Sequence, residues 1–376
     1  MAEDGPRILL VAGEASGDLH GGAMLRELRR LLPGVQVVGV GGDNLRAQGM
    51  ETLADVSTLS AAGLVEIAAS IPRHYRVMEM LKQQMDQHRP KAVVLVDYPG
   101  FNMFVAKEAK KRGIPVFFYI APQVWAWGKG RAKTMAQLID RLAVIFPFEE
   151  EIFNRYGRAV ASYVGHPLMD SLKTSRSPGE TRQLHGFDLQ QPLLVLMPGS
   201  RRSEVHLLLP AMLGAAQQLK ADGWQVALLK APTISESFLK RSHGKGPFPV
   251  PVVEGDAYNL LAAADAGVIA SGTATLEAAL LGCPHVILYR FSLITYLLGK
   301  LFIRHRTMGL PNVILGRPFF PELLQRRVTP ANIVRAVAQM AANRQACGQA
   351  VDQLRSAMGQ PGASDRAAHE LAKLIK

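Results

Sequence analysis

Short, continuously apolar runs alternate along the chain with longer stretches in which apolar positions recur every three or four residues. In the first half the runs are Arg7–Ala12, Gln36–Val40, Ala92–Val96, Pro115–Ile120 and Leu142–Phe146. After His166 the composition loosens through Lys173–Glu180. A second set then follows at Pro192–Met197, Gln225–Lys230, Val250–Val253, Ala266–Ala270 and His285–Tyr289. Runs that are apolar on both faces and separated by helical stretches predict parallel sheets covered by helices on either side. In each half a strand opens through a glycine-containing loop into a helix, Gly13–Asp18 in the first and Pro198–Glu204 in the second. The expected fold class is α/β: two tandem Rossmann-like, doubly wound parallel-sheet domains, with ligands in an interdomain cleft beyond the carboxyl ends of the strands. The expected boundaries are a first domain over 1–170, a linker over 171–190, a second domain over 191–350 and a helical tail over 351–376. The tail breaks at Gly359–Gly362, so a last helix, Asp365–Lys376, can fold back over either domain.

Composition narrows the classes that this pattern allows. The chain has 376 residues, 48% hydrophobic and 20% charged, enough apolar material for two cores and too little bias for a low-complexity or fibrous protein. Two cysteines, Cys283 and Cys347, cannot build a disulfide framework or a cysteine zinc cluster, and a reducing cytoplasm is expected. No histidine pair has metal spacing, so neither a protein-built metal site nor a cofactor is expected. Residues 1–7 carry Glu3 and Asp4 before a short apolar run, which is not the pattern of a secretory signal.

The net charge of +12 is uneven: residues 1–188 hold 23 Lys+Arg against 20 Asp+Glu, and residues 189–376 hold 20 against 11. An anionic ligand or surface is therefore expected of the second half. Nucleic acid is disfavoured, because zinc-finger spacing, an RNP-type strand and a dense basic tract with interleaved aromatics are all missing. Phosphate-bearing small molecules and anionic lipid fit better.

Three strand-to-helix loops carry the candidate chemistry. In Gly13-Glu14-Ala15-Ser16-Gly17-Asp18 the glycines permit close backbone approach to a ligand, but two carboxylates would repel a pyrophosphate, and the spacing is not G-x-G-x-x-G. A nicotinamide or flavin site is disfavoured, leaving a sugar-binding loop or a turn capped by Ser16 or Asp18. Pro198-Gly199-Ser200-Arg201-Arg202-Ser203-Glu204 brings a permissive glycine, a hydroxyl and a guanidinium to a helix N-terminus, which suits a phosphate; a capping box from Ser200 or Ser203 is the plainer alternative. Ser271-Gly272-Thr273-Ala274-Thr275-Leu276-Glu277 can hold a diphosphate on its hydroxyls and amides, with Glu277 accepting ribose hydroxyls. Two such loops in one half favour a nucleotide diphosphate over two unrelated caps.

Asp97 ends the strand Ala92–Val96 within Val-Asp-Tyr-Pro-Gly-Phe-Asn. It is either a general base at a strand end or the start of a proline turn. His166, and the two tryptophans of Ala121–Arg131, can be packing residues or cleft residues. Two apolar segments with flanking cations, Leu64–Met85 and Phe291–Ile303, fit either a core or a membrane interface. Neither is an uninterrupted membrane span.

Taken in order, the segments LLVAGEASGD, VDYPGFN, QVWAW, FPFE, VGHP, PGSR, ASGTATLE and GLPNVILGR resemble the lipid-A-disaccharide synthases, bacterial glycosyltransferases of the two-domain GT-B type. The resemblance spans almost the whole chain. It implies inverting transfer of 2,3-diacylglucosamine from UDP-2,3-diacylglucosamine to 2,3-diacylglucosamine 1-phosphate (lipid X), releasing UDP, by a protein peripheral to the anionic inner face of the cytoplasmic membrane. It implies that Asp97 is the base for the acceptor hydroxyl and that Arg201 neutralises the leaving diphosphate. Glu14, Ser16, Gly17 and Asn312 become substrate-binding positions; Gly199, Ser200, Arg201, Ser271, Gly272, Thr273 and Glu277 become UDP-binding positions. Many family members carry an aspartate where this chain has Gly100, which concentrates the expected base function on Asp97. A UDP-N-acetylglucosamine 2-epimerase would share the architecture without needing acyl-binding surfaces. A non-enzymatic two-lobed binding protein would share it too, but is disfavoured by the missing export signal.

Overall fold

A strand covered by helices on both faces has no side that must be polar, and the apolar runs do become such strands. The computed structural model describes residues 5–59, 64–122, 124, 129–243, 248–290, 307 and 309–376, with the side chains of 64–70 and 129 left aside. It divides into two units, one made of Met1–Ser171 with Met358–Lys376 and the other of Leu172–Ala357.

The first unit is built on β1 (Arg7–Ala12), β2 (Gln36–Gly41), β3 (Glu51–Asp55), β4 (Ala92–Val96), β5 (Val116–Tyr119), β6 (Arg141–Val144) and β7 (Ala161–Tyr163). Their spatial order is β3-β2-β1-β4-β5-β6-β7 and every pairing is parallel. Its helices are α1 (Ala15–Leu31), α2 (Asp43–Ala47), α3 (Val56–Leu59), α4 (Leu64–His88), α5 (Pro99–Lys111), α6 (Lys129–Leu138), α7 (Pro147–Asn154) and α8 (Leu168–Ser171). On one sheet face Leu9, Val11, Val93, Leu95 and Phe118 pack with Val77, Leu81 and Met85 of α4, Val105 and Ala109 of α5, and Met135 of α6.

The second unit repeats the plan with β8 (Leu193–Met197), β9 (Gln225–Leu229), β10 (Val252–Val253), β11 (Ala266–Ala270), β12 (His285–Tyr289) and β13 (Glu322–Leu324). The order is β10-β9-β8-β11-β12-β13, again all parallel. Its helices are α9 (Pro178–Leu184), α10 (Arg202–Ala221), α11 (Glu236–His243), α12 (Ala257–Ala263), α13 (Thr273–Leu280), α14 (Leu310–Leu315), α15 (Pro330–Ala342) and α16 (Arg344–Met358).

Residues 171–190, expected as a linker, are largely built into this second unit. Asn259 Oδ1 accepts the amides of Ser175 at 2.9 Å and Arg176 at 3.2 Å. Helix α9 lies against α12, and its buried Arg182 donates to the carbonyls of Ala263, Leu189 and Gln191 and to Asp265. The chain then returns to the first unit as α17 (Ala363–Ile375), which packs along α1 and against β5 and β6. Ala363, Ala367, Leu371 and Ile375 recur every fourth position and are buried, as one helical face should be. Asp170 accepts the amides of Gly362 and Ser364, and Arg366 donates to the carbonyls of Val164, Gln360 and Pro361, fastening the return.

Candidate active site

In a doubly wound sheet the loops diverge, and leave room for a ligand, where the strand order reverses. In the first unit that point lies between β1 and β4, whose ends are in register at Ala12 and Val96. The residues that follow are Gly13-Glu14 on one strand and Asp97 on the other, so the fold brings the first loop and the candidate base together. Asp97 and Tyr98 both take left-handed backbone angles, with φ of 50° and 47°. Non-glycine residues in this region cost on the order of 1–3 kcal/mol each, so the surroundings must hold them there. They do so through the Asp97 amide, which donates to Tyr119 O at 2.9 Å, and through Asn102, whose Nδ2 donates to Asp97 O at 2.7 Å. The Tyr98 hydroxyl donates to Leu59 O at 3.0 Å and lies 2.9 Å from His74 Nε2.

The Tyr98 ring is laid over Gly13, where a Cβ would sit 2.2 Å from the ring; any side chain at 13 would displace the tyrosine. Gly17 also lies close to the neighbouring strand, where a Cβ would meet Val96 O at a tight 3.2 Å. Burial, and secondarily the negative charge of Glu14, push the Asp97 carboxyl up to about 6. Asp97 is thus ionised at neutral pH, yet is a stronger proton acceptor than an ordinary aspartate. Ser16 is exposed at the first turn of α1. Asp18 is not part of this surface: it is buried and accepts the amides of Gly42, Asn44 and Leu45 at the start of α2. One of the two carboxylates expected to repel an anion is therefore already satisfied by backbone.

In the second unit the order reverses between β8 and β11, paired at Met197 and Ile269. Here a cavity of about 690 Å³ is lined by Gly199, Ser200, Arg201, Ser271, Gly272, Thr273 and Glu277, so all the expected UDP-binding positions share one wall. The N-termini of α10 and α13 both open on it, and first-turn amides, which a helix leaves without internal acceptors, give it a positive character. Arg201 remains largely exposed. Glu277 is raised by burial and accepts the Tyr258 hydroxyl at 3.1 Å. Lys173, Tyr258 and Glu204 also line the cavity and were not singled out from sequence. The chain pattern offered no signal for Lys173 or Tyr258. For Glu204 the signal was its place three residues after Arg201, the acid half of a capping box without the usual Ser or Thr. A cap from Ser200 or Ser203 is not what forms; Glu204 reaches back to the amides of Ser200 and Arg201 instead.

A second cavity, about 920 Å³, lies in the first unit between α4 and α5 and includes Glu14 and Gly100 in its wall. Its apolar lining contains Ile71, Tyr75 and Phe104, which are 62%, 67% and 60% exposed. Lys82, Lys107 and Lys111 stand around it, Lys107 with its ammonium 5.6 Å from the Phe104 ring centre. The space around Gly100 is open, with no atom within 4 Å of where a Cβ would stand.

Asn312, expected to bind substrate, and His166, read as either a packing or a cleft residue, are both turned inward. Asn312 is fully buried, and its amide is spent on Phe320 O, Glu322 and the amides of Phe319 and Phe320, so it fastens the 316–322 turn rather than lining the cavity. His166 is buried against Phe146, accepts the Leu168 amide on Nδ1, and is driven down to about 3 by burial and by His20, so it is a neutral packing residue. The tryptophans at 125 and 127 and the apolar run 291–303 lie outside the described residues. Among the described residues no cluster of His, Cys, Asp and Glu could hold a metal, and no helix is long and apolar enough to cross a membrane.

Two Rossmann-like units in tandem, each with a glycine-containing loop at its switch point, have the architecture of the GT-B fold. Solved structures share this fold: a UDP-N-acetylglucosamine 2-epimerase described as putative, from Listeria monocytogenes, matches with a TM-score of 0.68 at 14% identity, over 100% of this chain and 97% of that one. The calicheamicin glycosyltransferase CalG4 matches with a TM-score of 0.60 at 17% identity, over 98% of both chains. The lipid-A-disaccharide synthetase family model matches residues 8–375, and the lipid-A-disaccharide synthase of Syntrophus aciditrophicus is 42% identical over 98% of both chains. The chain belongs to the lipid-A-disaccharide synthetase family and is a glycosyltransferase of the hexosyl-transferring kind; its likeness to the epimerases is one of fold.

Proposed function

We propose that this glycosyltransferase moves 2,3-diacylglucosamine from UDP-2,3-diacylglucosamine to the 6-hydroxyl of 2,3-diacylglucosamine 1-phosphate, with inversion at the sugar carbon. The observation that carries the proposal is the meeting of two anion-type loops and Glu277 on one cavity of a size suited to a nucleotide. In this reading Gly199, Ser200 and Arg201 face one part of the diphosphate, Ser271, Gly272 and Thr273 the other, and Glu277 accepts the ribose hydroxyls. As the bond to the leaving oxygen breaks, charge gathers on UDP. In this reading Arg201 and the first-turn amides of α10 and α13 receive it, since groups fixed before the reaction are where electrostatic stabilisation is most effective.

The other half of the reaction belongs to Asp97. It takes the proton of the attacking hydroxyl as the new bond forms, and its elevated proton affinity suits that task. Glu14, Ser16 and Gly17 line the acceptor side. The apolar groove between α4 and α5 takes acyl chains, with Lys82, Lys107 and Lys111 toward acidic headgroups or the acceptor phosphate. The protein in this reading works as a peripheral protein on the inner face of the cytoplasmic membrane.

The test is UDP release by purified protein given the diacylated UDP-glucosamine donor, with and without the lipid 1-phosphate acceptor, with product mass recorded. Acceptor-dependent release and a disaccharide mass are expected. Release that ignores the acceptor, or tight UDP binding with no release, would overturn the assignment of substrates.

A further inference from the structure

We infer that Glu204 is a positioning residue that shapes the arginine loop of the donor cavity. The inference rests on that cavity being the nucleotide site. One carboxylate organises three consecutive residues there. Its Oε2 accepts the amide of Ser200 at 3.1 Å and that of Arg201 at 3.2 Å, while Oε1 lies 3.6 Å from the Arg201 guanidinium. The same carboxylate occupies the space where residue 199 would carry a Cβ, 2.3 Å from Oε2, and Gly199 has a φ of 114° that side chains rarely adopt. The Thr233 hydroxyl donates to Ser200 O at 2.6 Å, a further tie on the same loop.

A negative charge in an anion cavity looks counterproductive until its bonds are followed. Two amides and a guanidinium already compensate it, and the amides it consumes are those that precede α10. A helix cannot pair its own first-turn amides, so those of α10 are not among the ones that Glu204 takes up. Glu204 thus fixes where Ser200 and Arg201 stand before the diphosphate arrives, which spares the loop an ordering cost on binding. The opposite role, a competitor that the diphosphate must displace, makes the opposite prediction for removal of the charge.

The experiment titrates UDP into the full-length wild-type chain and into Glu204→Ala, Glu204→Gln and Gly199→Ala, following heat of binding, donor KM, kcat and melting temperature. Glutamine keeps an oxygen acceptor for the two amides and should bind UDP within about threefold of wild type. Alanine should weaken UDP by about tenfold or more, with donor KM rising in step and melting temperature little changed. Gly199→Ala should weaken UDP too, because its methyl group must push the carboxylate aside. Unchanged or tighter UDP binding in Glu204→Ala, or Glu204→Gln as weak as Glu204→Ala, would overturn the inference. A wild-type chain that does not bind UDP would instead remove the nucleotide reading of the cavity, and this inference with it.

Discussion

Asp97 is held in a backbone conformation that it would not choose and at a proton affinity that it would not have in water. Both features put a cost on the folded state. In the fold it titrates near about 6, against 3.8 as the ordinary value. Between those pH values the folded chain keeps a proton that the unfolded chain releases, so stability falls as pH rises from about 4 to about 6 and stays lower above. Asp97→Asn should therefore melt higher than wild type at pH 7.5, by at most about 3 kcal/mol, and lose that advantage below pH 4. The same substitution should abolish turnover, and the acid limb of the wild-type kcat/KM profile should lie near about pH 6. Equal melting of the two proteins at pH 7.5 would show that the carboxylate is not under electrostatic load. The sequence marks Asp97, Arg201 and Glu277 as candidates because Asp97 directly follows an apolar run and the other two belong to strand-to-helix segments that open just after one. It could not separate Asp18 or Asn312 from them. Their side chains are of the same polar kinds, and only the fold shows that their hydrogen bonds are spent on nearby backbone and on one side chain each, Asn44 for Asp18 and Glu322 for Asn312.

At the level of elements, α4 shows how one apolar stripe can serve two purposes. Read along the chain, Tyr75, Met78, Leu81 and Met85 form a single series. In the fold Val77, Leu81 and Met85 enter the core, Ile71 and Tyr75 turn to the groove beside α5, and Met78 touches both. Periodicity reports that a face is apolar and says nothing of which apolar partner covers it. Replacing Ile71 and Phe104 together by serine should leave the melting temperature within about a degree, since both side chains already meet solvent, while raising the acceptor KM and reducing sedimentation with anionic vesicles. Unaltered KM and vesicle binding would remove lipid from the groove. The strands that the apolar runs missed, β3, β7 and β13, are all sheet edges, with half-buried sequences such as Glu-Thr-Leu-Ala-Asp. An edge strand is covered less completely, so it carries polar residues and loses the continuous run that marks a central strand.

For the whole molecule, the division into two units follows contact rather than chain order, because α17 completes the first unit from the far end of the sequence. The helical pattern of the tail was plain, but the choice of unit was not, since small apolar residues such as Ala363 and Ala367 fit many surfaces. Ending the chain at Gly359 removes the burial of Leu371 and Ile375, worth roughly 1.5–3 kcal/mol each, and uncovers the side of α1 against which α17 packs. Against a typical total of about 5–15 kcal/mol, that loss should lower the first melting transition by many degrees while UDP binding to the second unit persists. Calorimetry and UDP titration of the truncated chain measure both, and an unchanged first transition would show the return helix to be dispensable.

The return of α17 also sets an order of events at the ribosome. The body of the first unit is complete at Ser171, yet the segment that covers α1 begins only at Met358. At about 5–20 residues per second, the nascent first unit waits roughly 10–40 s without the helix that packs on α1, while the second unit is synthesised. The part made first is finished last, so premature termination anywhere in the second half leaves an incomplete product with a sticky surface, a natural mark for chaperones and proteases.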